Sequence, residues 1–276
     1  MGGNPHIESE NAQSGWGRPP ALPMTAGMPV ALLAVLTALI AASPAAASGR
    51  VPIVSPTTGD ARGTVILIHG GAWVDHGPQA AMREHLRHAA RVNRLGFDTV
   101  AITYRPGIRS IADVVDAYDG LRRRLGDGEA ICALGDSAGG HLALMLAARR
   151  RGLDCAIARG APTDLRRAHG VWQRPVALRF APFAPLGRVS PVTYAGRLAG
   201  RVLASQALHD PLVRHDQLVR LRRAADIATA TLGPGGADYV HARVNARDLR
   251  TLERSEARLL DAAADRRRAQ MLDSTA

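Results

Sequence analysis

The sequence predicts an α/β protein: a mostly parallel central sheet with helices on both faces and a short helical excursion over the functional site. Two observations predict it. Short apolar runs rich in β-branched residues alternate with amphipathic segments of helix length along most of the chain. The composition, 46% hydrophobic and 21% charged over 276 residues, is that of a globular chain able to bury a core, not of a disordered polymer.

The elements follow in order. Residues 63–68 (GTVILI) form a buried strand that stops at His69-Gly70-Gly71. Residues 78–95 form a helix with Met82, Leu86, Ala89 and Ala90 on its inner face, Val92 and Leu95 at the edge of that face, and Gly96 as its C-terminal stop. A second strand spans 97–104, and Ile108, Ile111, Val114, Val115, Tyr118, Leu121 and Leu125 mark the helix after it. A third strand over 129–134 breaks at Gly135, and a helix covers 139–150. Residues 155–159 return as a strand. Residues 163–200, with several prolines and no clear period, are the excursion. A strand over 202–208, a helix over 216–225 and a last strand over 227–232 complete the sheet. Asn245 then caps a terminal helix striped by Leu249, Leu252, Leu259 and Leu260.

The N-terminal segment is a separate unit. Residues 30–42 (VALLAVLTALIAA) are followed by Ser43-Pro44 and an A-x-A pattern cut most simply after Ala47, which reads as an export signal. The expectation is residues 1–47 as signal peptide or N-terminal anchor, residues 48–276 as the folded domain, and a secreted or envelope-associated product. The membrane-anchored alternative rests on the alanine-rich flank, although the apolar run is short for a span. Cys132 and Cys155 fall in neighbouring strands. Two readings stay open for them, a disulfide in an oxidising compartment or two buried thiols. They form no CxxC or Cys/His cluster, so no metal site is expected.

The formal charge of +11 would suggest a nucleic-acid or anionic-membrane partner, but every basic residue is arginine and the arginines are scattered. Aromatic residues make up only 4%, leaving few platforms for stacking bases. No nucleic-acid partner is expected, and the charge is read as a composition bias with a modest pull on acidic substrates.

The chemistry concentrates in two motifs. Gly135-Asp136-Ser137-Ala138-Gly139-Gly140 lies between a strand and a helix, where G-x-S-x-G forms a nucleophile elbow that pushes the serine hydroxyl clear of the sheet. The backbone N–H of Ala138 there faces a developing oxyanion. His69-Gly70-Gly71-Ala72-Trp73 follows the first strand, and the N–H groups of Gly71 and Ala72 approach the same oxyanion from the other side. His69 is read as a turn-stabilising residue.

Over about residues 60–265 these motifs resemble the α/β-hydrolase superfamily, in particular HGG-type carboxylesterases of the hormone-sensitive-lipase-like and prolyl-oligopeptidase-like kind. Tyr104-Arg105-Pro106, Pro162-Thr163-Asp164-Leu165 and His209-Asp210-Pro211-Leu212-Val213 fall in the family's order. The resemblance implies an α/β-hydrolase fold and a triad in the order serine, acid, histidine. Ser137 is the nucleophile, and Asp210 is the acid with Asp216 in reserve; Asp164 is structural. The histidine departs from the pattern, because Ala237 stands where the family usually carries histidine after glycine. Either a loop shift brings His241, 31 residues beyond Asp210, to the serine, or the triad lacks its base. His215 is too close to Asp210 to serve.

The expected function is therefore hydrolysis of a small-molecule carboxylic ester through an acyl-enzyme, with no cofactor. The alternatives are a catalytically impaired binding protein on the same scaffold and a small-peptide serine peptidase. The excursion, which contains Trp172, Phe180, Phe183 and Tyr194, is expected to overhang the serine and to suit a short acyl or aromatic ester, while each of these rings taken singly is read as ordinary packing under the loop.

Overall fold

The computed structural model describes residues 52–74, 77–168 and 170–275. The expected leader and its anchor alternative, residues 1–47, lie outside these residues. No helix among the described residues is long and apolar enough to cross a membrane.

Seven strands form one sheet: β1 (Ile53–Ser55), β2 (Gly63–Ile68), β3 (Asp98–Ile102), β4 (Ala130–Asp136), β5 (Cys155–Arg159), β6 (Val202–Ala207) and β7 (Ala228–Leu232), in the order β1-β3-β2-β4-β5-β6-β7. Every pairing is parallel except that of β1 with β3. Helices α1 (Pro78–Arg94), α2 (Arg109–Leu125), α3 (Ala138–Arg149), α5 (Asp216–Ala224) and α6 (Ala246–Thr275) connect or follow the strands, and α4 (Gly170–Phe180) belongs to the excursion. After β2 the chain crosses to β3 on one side; β4 then pairs on the other side of β2, making a switch point between β2 and β4 at which such sheets open a ligand crevice.

Alternation along the strands divides the core between two faces. Ile66, Ile68, Ile131 and Ala133 point into the layer of α2 and α3, while Val65, Leu67, Cys132 and Leu134 point into the layer of α1 and α6. Each fully buried aliphatic side chain contributes about 1.5–3 kcal/mol relative to exposure. Residues 138–148 of α3 are all buried, which explains why that stretch is apolar on every side instead of amphipathic.

The expected architecture holds, and several local readings change. On α1 the inner face is Ala80, Ala81, Glu84, His88, Ala89 and Val92, whereas Met82 and Leu86 are 42% and 73% exposed. The helix turns Glu84 and His88 inward because buried partners await them, as described below, and their pairing outweighs the burial of two apolar side chains. β1 is a three-residue edge strand, too short for a periodic signal. A further two-stranded ribbon, β8 (Pro234–Asp238) and β9 (Arg243–Val244), has a glycine-rich sequence with no strand period.

The terminal helix starts where expected. The Asn245 side-chain oxygen accepts the N–H of Arg247 at 2.8 Å, and Leu252 and Leu260 are buried. Cys132 and Cys155 are register partners on β4 and β5, with Cα atoms 4.6 Å apart, and form a disulfide. Of the two readings of these cysteines, the bonded one holds.

Candidate active site

Ser137 occupies a left-handed backbone conformation (φ 55°, ψ −120°) between β4 and α3. Its neighbours explain why glycine flanks it. A Cβ on Gly135 would stand 2.4 Å from the Gly139 carbonyl carbon, and one on Gly139 would stand 1.8 Å from the Ile68 oxygen. The Ser137 N–H donates to the Arg159 carbonyl on β5 at 2.7 Å, and the Ser137 carbonyl accepts the N–H of His141 at 3.0 Å. The turn is thus pinned from both sides.

The HGGAW segment packs directly against it, since a Cβ on Gly70 would meet the Asp136 oxygen at 3.0 Å and the Ser137 Cβ at 3.3 Å. Gly71, Ala72 and Trp73 all have positive φ (106°, 53° and 58°). Two aromatic contacts hold this strained segment. The Tyr104 hydroxyl donates to the His69 carbonyl at 2.7 Å, and the two rings stack with centroids 4.1 Å apart. The Trp73 indole N–H donates to His141 Nδ1 at 3.1 Å while the ring stacks on Phe180. His141 in turn donates Nε2–H to the Val189 carbonyl at 2.8 Å; burial lowers its pKa to about 4, so the ring is neutral. His69, buried under Tyr104, stabilises the turn as expected.

Asp210 follows β6. One of its oxygens accepts the backbone N–H groups of Leu212 and Val213, both at 2.8 Å. The other accepts Gln206 Nε2 at 2.7 Å and His241 Nδ1 at 2.8 Å. His241 sits in the turn between β8 and β9, which the Tyr239 N–H closes by donating to the Ala242 carbonyl. This ribbon places His241 against Asp210, on the cavity that Ser137 also lines. Gly160, with φ 58°, lies against it, and a Cβ there would meet Val240 at 3.1 Å and His241 Nδ1 at 3.5 Å. The reserve acid Asp216 instead faces Arg214 and Arg220, and His215 bonds Thr231. Asp164 pairs with Arg166, and its own backbone N–H donates to Gln217.

Ser137, Gly71, Ala72, Ala138 and His241 line one cavity of about 500 Å³, a volume suited to a small molecule. The excursion lines it with Leu165, Ala168, Val176 and Ala177. The excursion thus borders the cavity, but Phe180, Phe183 and Tyr194 do not line it. Phe180 is buried against Trp73 and the Tyr194 hydroxyl bonds the Arg188 carbonyl outside the cavity, as the packing reading has it, whereas Phe183 is 99% exposed and is taken neither by packing nor by the cavity. The side chain of Trp172 lies outside the described residues.

A charged cluster beneath the serine has no counterpart in the sequence reading. Asp136 accepts Arg87 at 2.8 Å and His88 Nε2–H at 3.2 Å. Burial pushes Asp136 up, but His88, Arg159 and Arg87 together hold it well below the usual carboxylate range. Glu84 moves the other way, well above that range, through burial and the Asp136 charge. Glu84, His88 and Asp136 offer donor atoms within 4.8 Å of one another, as a cation site would. Arginine already supplies the counter-charge there, and the cluster is read as an ion network. A buried acid immediately before the serine was its one visible signal in the sequence.

Comparison with known proteins agrees with the fold. Residues 53–164 match the family model BD-FAE, an α/β-hydrolase esterase family. A truncated carbohydrate esterase from gut microbiota superposes with a TM-score of 0.61 at 15% identity, covering 78% of this chain and 90% of that one. A hormone-sensitive-lipase homologue from a metagenome library gives 0.59 at 20% identity, covering 77% and 82%. Esterase 2 of Thermogutta terrifontis, phosphonylated by sarin, gives 0.59 at 19% identity, covering 77% and 90%. No curated protein matches the sequence.

Proposed function

Since the chain is an α/β hydrolase by fold, with an HGG loop beside a GDSAGG elbow, we propose that it hydrolyses small carboxylic esters through an acyl-enzyme. Ser137 attacks the ester carbonyl while His241 takes its proton at Nε2; Asp210 holds the imidazole through Nδ1–H, which fixes the tautomer and stabilises the imidazolium. The N–H groups of Gly71, Ala72 and Ala138 receive the tetrahedral oxyanion. Collapse expels the alcohol, protonated by His241. Water, deprotonated by the same ring, then releases the acid and restores the serine.

The observation that carries this reading is the 2.8 Å contact between His241 and Asp210 on a cavity shared with Ser137. Export to an oxidising compartment is part of the proposal, supported by the Cys132–Cys155 disulfide.

The test uses a fluorophosphonate, the chemistry that phosphonylates the Thermogutta esterase. We expect labelling of wild type and none of Ser137→Ala, with hydrolysis of short p-nitrophenyl esters abolished in parallel. A folded wild-type protein that resists the label and leaves these esters intact would instead be a binding protein on a hydrolase scaffold.

A further inference from the structure

The excursion has a second side, turned away from the cavity. Arginine is spread over the whole chain, but residues 165–200 hold six arginines and none of the chain's 24 aspartates and glutamates. A compositional bias toward arginine adds cations everywhere and does not remove acids, so it does not account for this gap.

Helix α4 shows how the segment is divided. Ala177 and Phe180 are buried and Val176 is half-buried on its inner side. Arg174, Pro175, Leu178 and Arg179, at i, i+1, i+4 and i+5, are exposed and form the opposite face. Past the helix, the turn Pro182-Phe183-Ala184-Pro185 carries Phe183, 99% exposed, whereas the chain's other two phenylalanines, Phe97 and Phe180, are fully buried. The flanking prolines restrict the backbone there. Gly107 packs on the same helix end, since a Cβ on it would meet the Phe180 carbonyl oxygen at 3.4 Å. That contact brings the exposed Ile108 to the end of α4 from which Phe183 emerges.

Acids do not cover this end of the excursion. Asp164 is bonded to Arg166 at the other end, and Arg197 donates to the Ala148 carbonyl. No ion pair among the described residues engages Arg174, Arg179 or Arg188, all three exposed. On α2, which Ile108 precedes, Asp113 is held by Arg105 at 2.5 Å, and Asp116 is the exposed acid one turn further on.

We propose that this end of the excursion is a peripheral docking surface for anionic lipid. Phe183, Leu178 and Ile108 enter the interface, and Arg174, Arg179 and Arg188 meet the lipid phosphates. A lipid surface takes a protruding ring without a preformed pocket, which a folded acidic partner would have to supply. Arginine stems lie along the acyl boundary while their heads reach the phosphates. Peripheral adsorption needs no spanning helix, and none occurs among the described residues. The surface is separate from the proposed chemistry, because none of these six side chains lines the cavity.

The experiment is sedimentation of the full chain with sucrose-loaded vesicles of phosphatidylcholine, alone or with about one third phosphatidylglycerol. Wild type is expected to bind the anionic vesicles at low salt, more weakly at high salt, and to bind the neutral vesicles least. Phe183→Ser lowers the partition coefficient about tenfold or more, and Arg174→Gln, Arg179→Gln and Arg188→Gln lower it about fivefold each. These substitutions change exposed side chains only, and urea midpoints equal to that of wild type confirm that each variant is folded. Absence of binding, or equal binding to both kinds of vesicle, overturns the inference. Binding that Phe183→Ser leaves unchanged overturns it in favour of a site for acidic macromolecules, and binding that all four variants retain overturns it in favour of another segment. The readout does not involve ester hydrolysis, which stands or falls by the fluorophosphonate test.

Discussion

Arg159 grips Glu256 through two buried hydrogen bonds of 2.7 and 2.6 Å, and its own carbonyl accepts the N–H of Ser137 at 2.7 Å. The terminal helix is thereby tied to the strained turn that holds the proposed nucleophile, across 97 residues of sequence. Burial pushes the Glu256 carboxyl up, but Arg159 and Arg91 overcome this and hold it below its ordinary range. Removing one member of a buried ion pair strands the other charge, at a cost of about 3–5 kcal/mol. Glu256→Gln is expected to lose stability near the lower end of that range, because the amide oxygen still accepts one bond. Urea unfolding checks this, and fluorophosphonate labelling of the folded variant should slow as the β5 anchor of Ser137 loosens. A variant with unchanged midpoint and unchanged labelling would show that the clamp contributes nothing to the elbow.

Asp210→Asn tests the acid. The carboxylate has both oxygens fixed, by Leu212 and Val213 on one side and by Gln206 and His241 on the other, so the asparagine should keep its position. Its amide, however, can present N–H groups toward His241 Nδ1 and favour the wrong tautomer. The expected loss in kcat is about 10⁴-fold on a short p-nitrophenyl ester, with a stability loss of about 1–3 kcal/mol in urea unfolding because the same amide N–H group faces the Gln206 Nε2 donor. A loss under about tenfold would mean that His241 is oriented by something other than Asp210.

The legible parts of this molecule were those in which local sequence and global packing demand the same residues. The strand at Cys155–Arg159 is continuous apolar chain because both sheet faces are covered, and Gly135 and Gly139 are glycine because a Cβ would collide with backbone. His241 was legible only as a choice between two readings, since its position depends on the β8–β9 ribbon, whose Pro-Gly-Gly sequence carries no strand period. The inward face of α1 was misread for a related reason. Periodicity counts apolar residues, whereas Glu84 and His88 are buried by partners on β4 that lie 52 and 48 residues away in the chain. The Arg159–Glu256 clamp left no local trace at all, because nothing near either residue in the sequence distinguishes it from the many surface arginines and acids.

His141 gives a stability prediction with a definite sign. Its folded pKa is lowered to about 4 by burial, against an unfolded value near 6.5, so between these values the unfolded chain binds the extra proton and stability falls as the pH drops. The contribution is fully present above the unfolded pKa and gone once the pH has passed below the folded one. From about pH 7 to about pH 5 the loss from this residue should be about 2 kcal/mol. Urea midpoints for wild type and His141→Gln at the two pH values isolate it: the glutamine variant should be less stable at the higher pH but lose less on acidification. Equal acid sensitivity in both proteins would remove His141 as the responsible group.

Gly139→Ala is the severest single methyl addition in the elbow. The new Cβ would lie 1.8 Å from the Ile68 carbonyl oxygen and 2.7 Å from that of His69, both of them backbone atoms of a strand end buried against the elbow. Relief requires moving the start of α3, fully buried for its first three turns, or the end of β2, which bears the HGGAW segment. Neither can yield without opening the turn at Ser137. The expected cost exceeds about 4 kcal/mol, with complete loss of ester hydrolysis in whatever protein still folds. Gly236→Ala, on the exposed ribbon with nothing within 4 Å of its new Cβ, should shift stability by less than about 0.5 kcal/mol. Thermal or urea unfolding of the two variants side by side measures the difference, and comparable stability would mean that the elbow is not packed as tightly as its glycines require.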